Sequence, residues 1–288
     1  MSDYIFVVGC SRSGTTLLRD VFMSHPDVAL ALETHFFSKL AHKGVLRSVK
    51  HLFPIDSDKK LDELKIIFKS GDIFGMIWRE DWDTDFDTDK MVDDFGRTNR
   101  TERDLFEQIM LNYAEHHGKK RAGEKTPSHL YHVDQLVEWF PACRIIHLVR
   151  DPRAILLSEV HKRSKPDYFL SKDNPLYSSG LFAWVVSSWW LAIREHERYQ
   201  RMYPQNYLMV KFEDLVLDSE NTFEKIREFV GLDSTEKQLN LPSKVNTSFE
   251  DDAKHDPLNR WKELLPKKYI NLMNTILRRQ LTQFGYLP

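Results

Sequence analysis

Apolar residues fall in short continuous runs, separated by longer stretches in which they recur every three or four positions. That is the pattern of strands buried on both faces and the helices that cover them. Tyr4 to Val8 is one such run, closed by Gly9, and a helical stretch from Thr15 to Ser24 follows, ended by His25-Pro26. A second strand is expected at Val28 to Leu32, with a helix starting over Thr34 to Leu40. From Arg121 the alternation resumes: a strand toward Lys125, a helix from about Ser128 to Trp139, the strand Arg144 to Val149 and a helix from Pro152 to about Lys162. Leu181 to Tyr203 predicts a long amphipathic helix, Tyr207 to Phe212 a strand, and Asn221 to Val230 and Lys267 to Phe284 two more helices. Residues from about 41 to 120 are helical in pattern but poorly punctuated, and read as a helical insertion. No internal repeat or low-complexity linker divides the chain. The expectation is one α/β domain over 1–288, with a P-loop-like parallel sheet flanked by helices.

Composition narrows the function. With 288 residues, 41% of them hydrophobic, the chain can bury a core without covalent staples. Its two cysteines, Cys10 and Cys143, fall in a loop and a buried strand and imply no disulfide framework. The N-terminus shows no charged leader and no stretch is apolar enough to span a bilayer, so a cytoplasmic location is expected. At a net charge of -2, affinity for an anion must come from local cations, and general nucleic-acid binding is disfavoured. Metal binding is not expected either. The twelve histidines show no ligand spacing. Asp83, Asp85, Asp87 and Asp94 fall at calcium-loop positions, but Thr88 stands where the turn glycine belongs, so this acidic run reads as a solvated loop or lid.

The segment Gly9-Cys10-Ser11-Arg12-Ser13-Gly14-Thr15-Thr16 lies where a strand feeds a helix, so its amides and the helix N-terminus converge on one anion. It nearly matches the nucleoside-triphosphate loop, but Thr15 replaces the lysine that would reach the β and γ phosphates. Arg12 inside the loop and the hydroxyls of Thr15 and Thr16 suit a short phosphosulfate better than a magnesium-bound triphosphate. The bland reading is a Gly-Thr-Thr turn that merely starts a helix.

These residues resemble the sulfotransferases that use 3′-phosphoadenosine-5′-phosphosulfate (PAPS), whose loop [KR]-x-G-T-[TS] stands here as Arg12-Ser13-Gly14-Thr15-Thr16. A second family element, a strand ending in arginine and a helix carrying serine, appears as Arg150 and Ser158. Within the superfamily, the segment from Arg12 to Thr34 is most similar to the tyrosylprotein and related bacterial sulfotransferases. Glu124-Lys125-Thr126-Pro127, Phe212-Glu213-Asp214-Leu215 and Asn259-Arg260-Trp261 resemble further family segments, whereas about 45 to 118 matches nothing in the pattern.

The resemblance implies that Ser11, Arg12, Ser13, Gly14, Thr15 and Thr16 hold the 5′-phosphosulfate, that Arg150 and Ser158 hold the 3′-phosphate, and that Arg260 closes over the nucleotide. It implies Glu33 as the base for the acceptor hydroxyl, with Arg12 and Lys125 at the leaving oxygen and no metal. From the residues themselves, Glu33 is equally a helix N-terminal acid and His35 a rival base. Lys125 is equally a solvated strand-end lysine, and Trp261 an anchor for the C-terminal helix. Arg153 reads as a surface cation, and Trp184, Trp189 and Trp190 as core. Cys10 has no base near it in sequence and is not expected to act as a nucleophile. The implied partner is a hydroxyl-bearing small molecule, carbohydrate or tyrosyl acceptor; the basic segments His42 to His51 and His161 to Lys165 would favour an anionic one. Two rivals share the loop and sheet: a nucleotide or metabolite kinase, and a nucleotide-binding protein without chemistry.

Overall fold

A computed structural model of the chain describes residues 4–38, 44–70, 86–162, 175–232 and 258–288. Five strands, β1 (Ile5–Gly9), β2 (Val28–Leu32), β3 (Arg121–Lys125), β4 (Arg144–Val149) and β5 (Tyr207–Lys211), form one parallel sheet in the order β2-β3-β1-β4-β5. All five positions of β1 are buried because the sheet is covered on both sides. Side chains alternate between two cores, as a period of two demands. Phe6, Val8, Ala29 and Ala31 face one core with Phe106 and Ile109; Ile5, Val7, Val28 and Leu30 face the other with Leu18, Phe22 and Ile226.

The described helices are α1 (Thr15–Ser24), α2 (Val45–Val49), α3 (Asp58–Ser70), α4 (Thr88–Gly96), α5 (Glu102–His116), α6 (Val133–Trp139), α7 (Pro152–Lys162), α8 (Pro175–Met202), α9 (Phe212–Leu217), α10 (Ser219–Val230), α11 (Trp261–Leu264), α12 (Lys267–Ile276) and α13 (Arg278–Gln283). Helices α2 to α5 lie on the connection from β2 to its neighbour β3, and α5 packs on both strands. Leu64, Phe68, Met91 and Phe95 of this connection join the same apolar cluster as Phe6. Among the described residues no helix is long and apolar enough to cross a membrane.

Several expectations need correction. Residues 34 to 38 form no helix. Thr34 is bonded to a buried carboxylate and His35 takes φ +47°, a left-handed value that turns the chain away. Residues 39 and 40 lie outside the described residues. The C-terminal helix is two helices broken at Leu277, and Phe212 begins α9 rather than ending a strand. The acidic run is in part a helix: Asp87 caps α4 by accepting from the Lys90 amide, and Asp89, Asp93 and Asp94 pair with Lys69, Lys65 and Lys90. Asp81, Asp83 and Asp85 lie outside the described residues. Trp189 is core at 1% exposure, but Trp184 and Trp190 are each 41% exposed because they point off the opposite side of α8. Arg153 is not a surface cation. It is 4% exposed, bonded twice to Asp151 at 2.9 and 2.7 Å, and lies 4.0 Å from the Trp261 ring. Trp261 is itself 6% exposed.

Candidate functional site

Strand β1 is the middle of the sheet; the chain leaves it on one side toward β2 and later crosses to β4 on the other, so a crevice opens at the carboxyl ends of the strands. A cleft of about 380 Å³ sits there, lined from β1 and its loop by Cys10, Arg12 and Thr16, from the β2 end by Glu33 and His35, and from beyond β4 by Arg150 and Ser158. Arg260 reaches it from the start of α11.

The loop after β1 is tightly folded. Ser13 is fully buried and donates from its amide and its hydroxyl to the Cys10 carbonyl at 3.2 and 2.8 Å, which closes the turn. Arg12 adopts φ +65° and Gly14 φ +97°, so two left-handed residues bend the backbone into a concave nest ahead of α1. A Cβ on Gly14 would sit 2.3 Å from the Phe212 ring, so glycine is required there for space as well as conformation. The side chains then join two distant pieces of sequence. Arg12 Nε donates to Ser158 Oγ at 3.0 Å, Arg150 Nη1 donates to the Arg12 carbonyl at 3.2 Å, and Ser11 Oγ donates to Glu159 at 2.7 Å. The Arg150 guanidinium carbon lies over the Phe212 ring, 4.2 Å from its centroid. Burial, with Arg260 and Arg12 close by, pulls Arg150 down to about 10, against the opposing pull of Glu213. A site that crowds guanidinium groups in this way is relieved by an incoming anion.

Across the cleft, Lys125 is 1% exposed and its ammonium donates to Glu33 Oε1 at 2.6 Å and to Thr16 Oγ1 at 3.2 Å. His35 Nε2 lies 3.2 Å from the other carboxylate oxygen. Burial raises the Glu33 carboxyl, but His35 and Lys125 more than offset it and hold the group well below the usual carboxylate range. Glu33 is therefore ionised, and Lys125 stands between it and Thr16 at the end of the loop after β1.

Beneath this pair lies a residue that sequence reasoning assigned no role. Glu124 is fully buried, its side chain on the opposite face of β3 from Lys125. Its Oε1 accepts from the Thr34 amide at 3.0 Å, the Thr34 hydroxyl at 2.9 Å and the Thr126 hydroxyl. Its Oε2 is 3.0 Å from His129 Nδ1, close enough for an ion pair though poorly aligned for a hydrogen bond. Burial pushes this carboxyl up, but His129, Thr126 and Thr34 outweigh it and the net shift is downward. The carboxylate thus ties the turn after Glu33 to the turn after Lys125. The available signal was a carboxylate inside a strand expected to lie within a covered sheet, which says that it must find partners but not which ones.

Every site residue expected from sequence faces or frames this one cleft except Ser13 and Lys125, which support it from below. Lys162, Tyr131, Trp184, Ser188 and Phe212 also line it and were not foreseen. Cys10 lies in the wall, but burial pushes its thiol up to about 12, consistent with no nucleophilic role.

A model of the Sulfotransferase family matches residues 3–236. Protein-tyrosine sulfotransferase A of Caenorhabditis elegans is 23% identical over 300 residues, covering 100% of this chain and 68% of the worm protein. Omega-hydroxy-beta-dihydromenaquinone-9 sulfotransferase Stf3 of Mycobacterium tuberculosis is 28% identical over 116 residues, 40% of this chain and 30% of that protein. Among solved structures, the sulfotransferase domain of the Synechococcus olefin synthase superposes with a TM-score of 0.55 at 20% identity, covering 95% of this chain and 94% of the domain. Mouse sulfotransferase SULT7A1 in complex with PAP gives 0.51 at 17% identity, covering 97% and 85%. At those identities the likeness is one of fold.

Proposed function

The chain belongs to the sulfotransferase family, and from that premise we propose that it transfers the sulfuryl group of PAPS to an acceptor hydroxyl, with the residues of this cleft holding donor and acceptor in line. The observation that carries the proposal is the bond from Arg12 Nε to Ser158 Oγ at 3.0 Å, which joins the loop after β1 to the helix after β4, as two neighbouring anion sites would require.

The residues fit the donor's chemistry. The nest around Gly14, with the hydroxyls of Ser11, Thr15 and Thr16, would hold the 5′-phosphosulfate, while Arg150 and Ser158 would hold the 3′-phosphate and Arg260 would close the rim. When bound, PAPS supplies a sulfuryl group attached to a phosphate leaving oxygen. Glu33 takes the proton of the acceptor hydroxyl, so that the acceptor oxygen forms its bond to sulfur as the bond to the leaving oxygen breaks. Lys125, already within reach of Thr16 in the loop, and Arg12 meet the negative charge that develops on the leaving oxygen. As Lys125 engages that charge, its hold on Glu33 would weaken and the basicity of that carboxylate would rise, so base and electrophile are coupled. The acceptor would be a hydroxyl compound, a small molecule, carbohydrate or tyrosyl group, received in the cleft that Tyr131 and Trp184 also line.

A kinase reading finds no support in a loop with Thr15 at the lysine position. Incubation with PAPS and a panel of hydroxyl compounds, read by mass spectrometry, is expected to show a gain of one sulfuryl group. Phosphoryl transfer from magnesium-ATP, or no transfer from PAPS to any acceptor, would overturn the proposal.

A further inference from the structure

The C-terminal segment has a charge and an apolar surface that the transfer reaction does not use. From residue 258 to the end stand six basic residues and one acid, Glu263, in a chain whose net charge is -2. Arg260 is buried at the cleft, but Lys262, Lys267, Lys268, Arg278 and Arg279 are exposed, and among the described residues none of these five is in an ion pair. Between them three large aliphatic side chains stand in solvent: Leu264 at 49%, Leu272 at 47% and Ile276 at 52%. Lys268, Leu272 and Ile276 follow one another at the helical spacing of four and share a face of α12, while Met273, on the far side, is buried in the core.

We propose that the exposed side of this segment, from Lys262 to Arg279, docks on an anionic lipid surface. The two features select the partner jointly. A second copy of the chain would bring five exposed cations against five, which like-charge repulsion opposes. A flexible polyanion would reward the cations but gain nothing from Leu264, Leu272 and Ile276. An anionic bilayer takes both: its headgroups attract the lysines and arginines, and its acyl boundary accepts the aliphatic side chains between them. The face begins directly after Arg260 and Trp261, so docking would hold the donor rim of the cleft close to the bilayer.

The test is co-sedimentation of the full chain with vesicles of phosphatidylcholine, with and without phosphatidylglycerol. Binding is expected to the anionic vesicles only and to weaken as salt is raised. The Lys267→Glu/Lys268→Glu variant should lower partitioning by about five-fold or more per cation. Leu272→Ser/Ile276→Ser should lower it about ten-fold. Both variants should bind adenosine 3′,5′-bisphosphate as the parent does, which shows that they are folded. No binding to anionic vesicles, or equal binding to neutral ones, would overturn the proposal. So would a dimer, seen by light scattering, that Leu272→Ser/Ile276→Ser dissolves. Loss on charge reversal without loss on the serine variant would do so too, and would point to a polyanion.

Discussion

Replacing Glu124 by glutamine changes one oxygen to an amide nitrogen at the point where the turns after β2 and β3 are tied together. In the native protein Oε1 receives two bonds from Thr34, at 3.0 and 2.9 Å, and one from Thr126, while Oε2 faces His129 at 3.0 Å. Glutamine keeps one carbonyl oxygen for the threonines, but those bonds become neutral, at about 0.5–1.5 kcal/mol in place of about 1.5–3 for a charged acceptor. The side chain also faces His129, which is 1% exposed and leaves little room for rearrangement. With roughly 1 kcal/mol lost from each of the three threonine bonds, the change costs about 3 kcal/mol, a large share of the roughly 5–15 kcal/mol that holds a domain together. Equilibrium urea unfolding at neutral pH should show a loss of about 3 kcal/mol. The difference should shrink on acidification. The Glu124 carboxyl titrates below its unfolded value of about 4.3, so its contribution is complete above that pH and is lost as pH falls through the lower, folded value. Turnover should fall while affinity for adenosine 3′,5′-bisphosphate holds, because Glu124 touches the neighbours of Glu33 and Lys125 and not the phosphate loop. A loss below about 1 kcal/mol at neutral pH would refute the view that this carboxylate organises the site.

Three further outcomes follow from the same geometry. Glu33→Gln should lower kcat by about 10²- to 10⁴-fold in a PAPS transfer assay and leave calorimetric binding of adenosine 3′,5′-bisphosphate intact; turnover near normal would remove Glu33 from the base role. Lys125→Met takes one opposing charge away from Glu33, so the carboxyl should rise toward its ordinary value and the acid limb of the pH-rate profile should move to higher pH; an unmoved limb would show that Lys125 does not set the basicity of Glu33. Gly14→Ala must place a methyl group 2.3 Å from Phe212 at φ +97°, and is expected to abolish bisphosphate binding while the melting curve stays cooperative; retained binding would contradict the tight loop described above.

Four of the five strands were legible because a parallel sheet buried on both faces writes itself as short apolar runs such as Ile5–Gly9 and Arg144–Val149; β3 was placed by the alternation around it, and the order of strands about β1 came only from the structure. Arg12 and Gly14 drew notice because they sit in a loop between a strand and a helix, whereas Arg150 and Ser158 were singled out through the family resemblance. What escaped was set by tertiary contact. The helix expected after Val28–Leu32 fails because Thr34 spends its amide and hydroxyl on Glu124, a residue far away in sequence. Arg153 looked exposed because its anchor Trp261 comes from the C-terminal segment, and nothing local to α7 announces that contact. Trp184 and Trp190 looked like core because periodicity says which residues share a face, not how wide the covered face is. Glu124 itself was quoted only as the neighbour of Lys125, since a carboxylate in a strand gives no sign of what it will meet on the other side of the sheet.

The central claim is that the loop at Gly14 and the Arg150–Ser158 pair grip one nucleotide at two ends, and calorimetry tests it most directly. The protein is titrated with adenosine 3′,5′-bisphosphate, with adenosine 5′-monophosphate and with magnesium-ATP. The bisphosphate should bind at least about ten-fold more tightly than the monophosphate, the return expected from charge-assisted bonds to one extra phosphate, and Arg150→Ala/Ser158→Ala should erase that difference. Equal affinity for the two adenosine phosphates, or a preference for magnesium-ATP, would contradict the account.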